Sequence, residues 1–195
     1  MALTTSKMEI KFFLVLLSLV KLIKGACPDV ELAADFKTEQ YLGVWYEIQG
    51  IPSMFQSIKS CFKSTYSLTE DGSIFVESKG LGSGGEPDST SIKMSISENP
   101  ARMITDFLSK QINPPYEVLS TDYSSYACVH SCVSVGPITN DFVFIYSREK
   151  TLEQDKIDLC RDIFAKYEGT DINGLVSTPQ LKPECVAISK PKDEL

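Results

Sequence analysis

Gly43-Val44-Trp45-Tyr46, a few residues past Asp35-Phe36-Lys37, holds the only tryptophan of this 195-residue chain. A lone Trp just after Gly, at the start of a first strand, suits a residue that plugs one end of a small closed barrel. A barrel of that size can keep one small ligand in its interior, so the stretch points to a container rather than a catalyst.

Upstream, Lys7 and Lys11 precede the apolar run Phe12-Phe13-Leu14-Val15-Leu16-Leu17-Ser18-Leu19-Val20, and small Gly25-Ala26 follow. A basic start, a short apolar run and a small-residue exit describe a signal peptide. The run is shorter than the roughly 20 apolar residues that span a bilayer, and no later stretch is long and apolar enough. Cleavage is expected after Gly25, because a cut after Ala26 would put Lys24 where a small residue is preferred. Residues 1–25 are then the leader and 26–191 the domain. The chain stops at Lys192-Asp193-Glu194-Leu195, which has the form of an ER-retrieval address that a receptor reads and that anchors nothing. The expected location is the ER lumen if Asp193-Glu194-Leu195 engages that receptor, and the extracellular space otherwise.

About 170 residues remain after cleavage, enough for one domain with a sizeable core. Loss of the leader, with four Lys and one Glu, takes the formal charge from −7 to −10. An acidic surface argues against nucleic acid and anionic membranes as partners. All six cysteines, Cys27, Cys61, Cys128, Cys132, Cys160 and Cys185, lie past the leader. In an ER-routed chain they imply up to three disulfides, with about fifteen possible pairings. One histidine, His130, and no Cys-x-x-Cys pair make a metal site unexpected.

The body reads as short strands divided by turn residues: 44–51, 62–68, 73–78, 91–97, 102–108, 116–120, 126–135 and 142–147. A flexible Gly-rich loop is expected over Gly80–Asp88. Eight strands at this spacing suggest an up-and-down antiparallel barrel or a sandwich. One helix follows. Thr151 and Gln154 have capping-box spacing, and Leu152, Ile157, Leu159, Cys160, Ile163, Phe164 and Tyr167 approximate a helical stripe that Gly169 stops. That stripe must be buried, and the outside of the strand layer is the surface available. A short last strand is expected over Leu175–Thr178.

These residues carry a family resemblance. Gly43-Val44-Trp45-Tyr46 resembles the first lipocalin signature, Thr121-Asp122-Tyr123 the second, and Ser147-Arg148 the third. Within the family, Tyr41–Ile48 and Val118–Tyr123 resemble the apolipoprotein D and bilin-binding group. Pro115-Tyr116-Glu117-Val118 and Tyr126–Cys132 look more like crustacyanin, the carotenoid carrier of crustacean shells. The resemblance implies an all-β fold, an eight-stranded antiparallel up-and-down barrel with one C-terminal helix packed outside. It also implies the pairs Cys27–Cys132, Cys61–Cys185 and Cys128–Cys160. Strand parity supports the third, since Cys128 and Cys132 share a face, and an outward Cys132 turns Cys128 toward the helix.

The same parity turns Phe62, Ser64, Tyr66 and Leu68 inward, with Phe142, Phe144 and Tyr146, Met94, Met103, Thr105 and Phe107, and Ala127 and Val129. The expected ligand-binding set is Phe62, Tyr66, Met94, Met103, Phe107, Tyr116, Val129, Phe142, Phe144 and Tyr146. Trp45 and Arg148 are expected to be structural, the guanidinium lying over the indole at the closed end. His130 shares the outward parity of Cys128 and is expected at the surface or rim. The bland reading is that the aromatic and Met residues merely fill a core.

A lipocalin-like container would carry or sequester a carotenoid such as astaxanthin, or alternatively a bilin, a retinoid or a fatty acid. No required cofactor and no enzyme activity are expected, and assembly into homo- or hetero-oligomers stays open. The rivals are a cysteine-dependent isomerase, which needs an inward free thiol, and a ligand-free interaction protein of the ER.

Overall fold

Alternating apolar and polar residues resolve into eight strands that close on themselves. The computed structural model describes residues 27–53, 55–106, 113–136 and 138–187; the expected leader, Phe107 and the C-terminal tetrapeptide lie outside these. A one-turn helix α1 (Thr38–Tyr41) leads into β1 (Gly43–Gly50), followed by β2 (Ser60–Leu68), β3 (Ile74–Leu81), β4 (Pro87–Ile96) and β5 (Arg102–Thr105). Then come β6 (Pro115–Thr121), β7 (Tyr126–Val135), β8 (Ile138–Ser147), α2 (Gln154–Phe164), β9 (Val176–Ser177) and α3 (Glu184–Ala187). Each strand from β2 to β8 pairs antiparallel with the next, β8 returns to β1, and β1 pairs with β2 to close the barrel. Among the described residues no helix is long and apolar enough to cross a membrane.

Closure depends on a division of labour along β1. Its first half, Gly43 to Tyr46, pairs with β2, while Tyr46 to Gly50 pairs with β8. Where β1 and β2 part, the segment after β9 fills the seam. Gln180 Nε2 donates to the carbonyls of both Glu47 and Phe62 at 2.8 Å, and Cys61 N donates to Pro179 O at 2.7 Å. A bulge at Ile48 shifts the β1 register between Glu47 and Gln49, so Gly50 faces Phe144 across the ladder. An extra residue of this kind reverses the facing of all that follows it.

Two apolar layers result. Inside the barrel Trp45, Tyr41, Ile74, Met94, Met103, Val118 and Val129 are fully buried. Outside, α2 lays Ile157, Cys160 and Phe164 on Leu119, Cys128, Val143 and Ile145. Burying side chains such as Ile157 and Phe164 stabilises by about 2 kcal/mol each. The disulfides are Cys27–Cys132, Cys61–Cys185 and Cys128–Cys160.

Several local expectations need correction. Instead of a loop over Gly80–Asp88, β3 runs on through Leu81 and β4 begins at Pro87, leaving a tight turn in which Gly82 N donates to Glu86 O at 2.9 Å. The helix starts at Gln154 with Glu153 as its cap, and no capping box forms at Thr151. Ser147 closes the turn before the helix: its hydroxyl donates to Thr151 O at 2.8 Å and accepts from Glu149 N at 3.1 Å. Leu159 is exposed, and the helix ends at Phe164. Leu68 is half exposed rather than inward. The β1–β2 ladder ends at the Gly43–Tyr66 pair, so Leu68 lies past the end of the barrel.

Candidate functional site

The closed end is built where three distant segments meet. Gly43 takes φ of +94°, a left-handed conformation open to Gly at little cost, and carries the chain from α1 into β1 beside Arg148. In the Thr121-Asp122-Tyr123 turn, Asp122 Oδ1 accepts from the N–H groups of Ser124, Ser125 and Tyr126 at 3.0, 2.7 and 3.1 Å. Tyr123 sits at φ +65°, and its carbonyl accepts from Arg148 Nε at 2.9 Å. Arg148 also donates to Val44 O at 2.7 Å and to Gln40 O at 3.0 Å, and its guanidinium lies 3.8 Å from the Trp45 ring centroid. Trp45 Nε1 is satisfied by Tyr41 O at 2.8 Å. The plug is therefore fully bonded and holds nothing in reserve for a ligand.

Above the plug, inward residues change role with height. On β4 the lower Met94 is packed solid while Thr90 and Ile92 face open space; on β7, Ala127 and Val129 are packed while Ser131 and Val133 face it. Met103 is likewise core, and Thr105 above it lines the space. The result is a hollow of about 180 Å³ over a solid floor. Of the expected ligand set, Phe62, Tyr66, Tyr116, Phe142, Phe144 and Tyr146 line it; Met94, Met103 and Val129 instead form the floor. Ala127 is corrected in the same way. Parity selects a face, but height along the barrel axis decides between core and cavity.

The mouth is partly covered by the segment after β1. Phe55 stands edge-on to Phe142, with ring centroids 6.5 Å apart. Lys59 Nζ donates to the carbonyls of Ser53 and Gln56, which holds this segment in a tight curve.

The one carboxylate among the described lining residues lies outside the expected set. Glu47, two residues after Trp45 on β1, is buried and faces the hollow. Thr178 Oγ1 donates to its Oε1 at 2.6 Å and Gln56 Nε2 to its Oε2 at 2.8 Å. Burial raises its pKa to about 7 against those hydrogen bonds and the charge of Lys59. The inward parity of Trp45 extends to Glu47, so the signal was present in the sequence. Gly50 leaves room for it: a Cβ there would sit 3.1 Å from Phe144 Cδ1 and 3.3 Å from Glu47 Oε1. At the bottom of the hollow the Tyr116 hydroxyl is bonded to those of Tyr41 and Tyr66 at 2.7 and 2.9 Å. Burial raises the pKa of all three phenols, so they stay neutral.

His130 is not a surface or rim residue; it is 1% exposed on the outer wall. Its Nδ1 lies 2.7 Å from Glu117 Oε2 and its Nε2 2.6 Å from Asp141 Oδ1. Arg102 Nε donates to Glu117 Oε1 at 2.7 Å, and Thr170 Oγ1 to Asp141 Oδ2 at 2.6 Å. Burial alone would lower the His130 pKa, but the bonds and charges of Asp141 and Glu117 overcome it and raise it to about 9. The cluster is a structural clasp on the face away from the hollow. Among the described residues no group of His, Cys, Asp and Glu could hold a metal ion.

A closed antiparallel barrel with a plugged base, a hollow above it and a helix on its outer wall defines the class of ligand-holding barrels. The chain belongs to the lipocalin family: the Lipocalin-like domain model matches residues 36–180. Apolipoprotein D of Mus musculus is 35% identical over 159 residues, 80% of this chain and 83% of that protein. The Crustacyanin-A1 subunit of Homarus gammarus is 30% identical over 142 residues, 72% of this chain and 77% of that one. Among solved structures, lobster apocrustacyanin A1 superposes with a TM-score of 0.71 at 27% identity, covering 81% of this chain and 90% of that chain. Insecticyanin from Manduca sexta shares the fold, with a TM-score of 0.65 at 20% identity over 83% of this chain and 89% of its own.

Proposed function

We propose that this protein binds one small hydrophobic molecule in its barrel and carries or sequesters it within the secretory pathway. The observation that carries this reading is the hollow itself, walled by Phe62, Phe142, Phe144 and Ile92 and left open above a floor that is packed solid. Water finds few partners along such walls, so an apolar guest that enters removes its own surface and theirs from water at a gain in free energy. Kinship to apolipoprotein D and to crustacyanin subunits supports the same role. A carotenoid such as astaxanthin is the favoured ligand, with a bilin, retinoid or fatty acid as the alternative. The hollow would take one end of a long polyene, with the rest leaving past Phe55. All six cysteines are paired, so a cysteine-dependent isomerase would lack its thiol. The terminal Lys192-Asp193-Glu194-Leu195 favours retrieval to the ER lumen over free secretion.

Fractionation of the native tissue followed by an absorption spectrum of the purified protein tests both parts. The expected result is recovery from the ER lumen with a visible band from a bound polyene. A colourless protein carrying extractable lipid moves the ligand to the alternative. A protein with no extractable ligand, and no affinity for apolar probes, overturns the container, and recovery only from extracellular fluid overturns retrieval.

A further inference from the structure

Hydroxyls are spread around the hollow, on Ser64, Ser78, Thr90, Thr105 and Ser131 among others, but its one carboxylate among the described lining residues stands beside a phenol. Glu47 and Tyr146 are direct partners across the β1–β8 ladder, and both line the cavity. Each Glu47 oxygen accepts one protein hydrogen bond, from Thr178 or from Gln56. A carboxylate oxygen has two lone pairs, so each retains one. Among the described residues the Tyr146 hydroxyl has no hydrogen-bond partner, whereas those of Tyr66 and Tyr116 satisfy each other. The wall thus presents an acceptor-only carboxylate beside one uncommitted phenol.

We propose that Glu47, with Tyr146 beside it, is the polar anchor of the hollow, selecting apolar ligands that end in a hydrogen-bond donor over ligands of the same skeleton that end in a carboxylate. This rests on the container reading and names the ligand class for it. An alcohol donates its proton to Glu47 and accepts from Tyr146 at once, and a protonated amine donates to Glu47. A carboxylate has no proton to give and brings a second negative charge into a low-dielectric space.

The other groups facing Glu47 do not reverse this preference. Tyr66 on β2 and Tyr146 on β8 are held neutral by burial, and Thr178 and Gln180 in the seam carry no charge. Lys59 is exposed, is engaged by the carbonyls of Ser53 and Gln56, and does not line the hollow. Because the pKa of Glu47 is raised to about 7, selection is strongest above that pH and fades as the carboxylate gains a proton below it.

The test uses the full chain with all-trans-retinol and all-trans-retinoic acid as matched probes, read by quenching of the single Trp45 at pH 8 and pH 5.5. At pH 8 retinol should bind about tenfold tighter than retinoic acid, the effect of one charge-assisted hydrogen bond. Glu47→Gln should bring the two affinities together, and Tyr146→Phe should reduce the ratio part of the way. In the unsubstituted chain the ratio should shrink at pH 5.5 by more than the probe's own titration, which Glu47→Gln measures at the same pH. Equal binding of both probes at pH 8, or the same preference in Glu47→Gln, overturns the anchor and leaves the container standing. Binding of neither probe overturns both. If Glu47→Gln fails to fold, Tyr146→Phe and the pH series decide, and an unchanged ratio in both rejects the proposal.

Discussion

His130 shows how one side chain can be set by its neighbours rather than by its type. Histidine ordinarily titrates near 6.5, yet between Glu117 and Asp141 its pKa rises to about 9. A raised folded pKa gives stability that is complete below about 6.5 and is lost as pH rises through about 9. The charged clasp therefore favours the folded state at neutral pH and has lost most of that contribution by pH 10. Urea unfolding followed by Trp45 fluorescence should show that loss between pH 7 and pH 10, and His130→Gln should remove most of the pH dependence. An unchanged alkaline slope in His130→Gln would place the loss elsewhere. Sequence parity assigned His130 correctly to the outer face. Its partners come from neighbouring strands, Glu117 on β6 and Asp141 on β8, and Asp141 is held in turn by Thr170, 40 positions from His130 in the chain.

At the scale of the element, α2 is held to the wall by packing and by one covalent tie. Ile157 and Phe164 bury against β7 and β8, and Cys160 reaches Cys128 across 32 residues. Closing a loop of that length stabilises by about 3 kcal/mol in the chain-entropy account. Replacing Cys128 and Cys160 together by Ala should lower stability by about that amount, while retinol affinity stays within about twofold, because the bond lies outside the barrel. A matching loss of affinity in calorimetric titration would mean that the helix shapes the hollow. Strand existence was legible from alternation, as were the helix and its inward stripe. The ends were not. No capping box formed at Thr151, β3 and β4 extended into the Gly-rich stretch, and a single extra residue at Ile48 re-faced the end of β1. Each depends on a partner strand or turn that local pattern does not encode.

At the scale of the whole molecule, the barrel is two vessels stacked on one axis, a solid base and a hollow top. Residues of the base should govern stability and residues of the top affinity. Met103→Ala removes a fully buried side chain from the floor and should cost about 3 kcal/mol with little change in ligand binding. Phe144→Ala, on the wall of the hollow, should weaken binding about tenfold with a smaller loss of stability. Paired unfolding and titration measurements check this, and equal effects from the two variants would erase the division. Trp45, Thr121-Asp122-Tyr123 and Arg148 announced the base because each is a short, type-specific motif, and in the fold Arg148 joins them by lying over Trp45 and donating to Tyr123 O. The amino-acid sequence by itself determined the class of fold, the outward cysteines and the facing of most strand residues, since a period of two along an unbroken strand needs no knowledge of its neighbours. Only the tertiary structure decided which inward residues touch one another and which surround empty space. That choice depends on height within a closed barrel, on bulges that reset facing, and on the seam where Gln180 and Thr178 hold Glu47 in place.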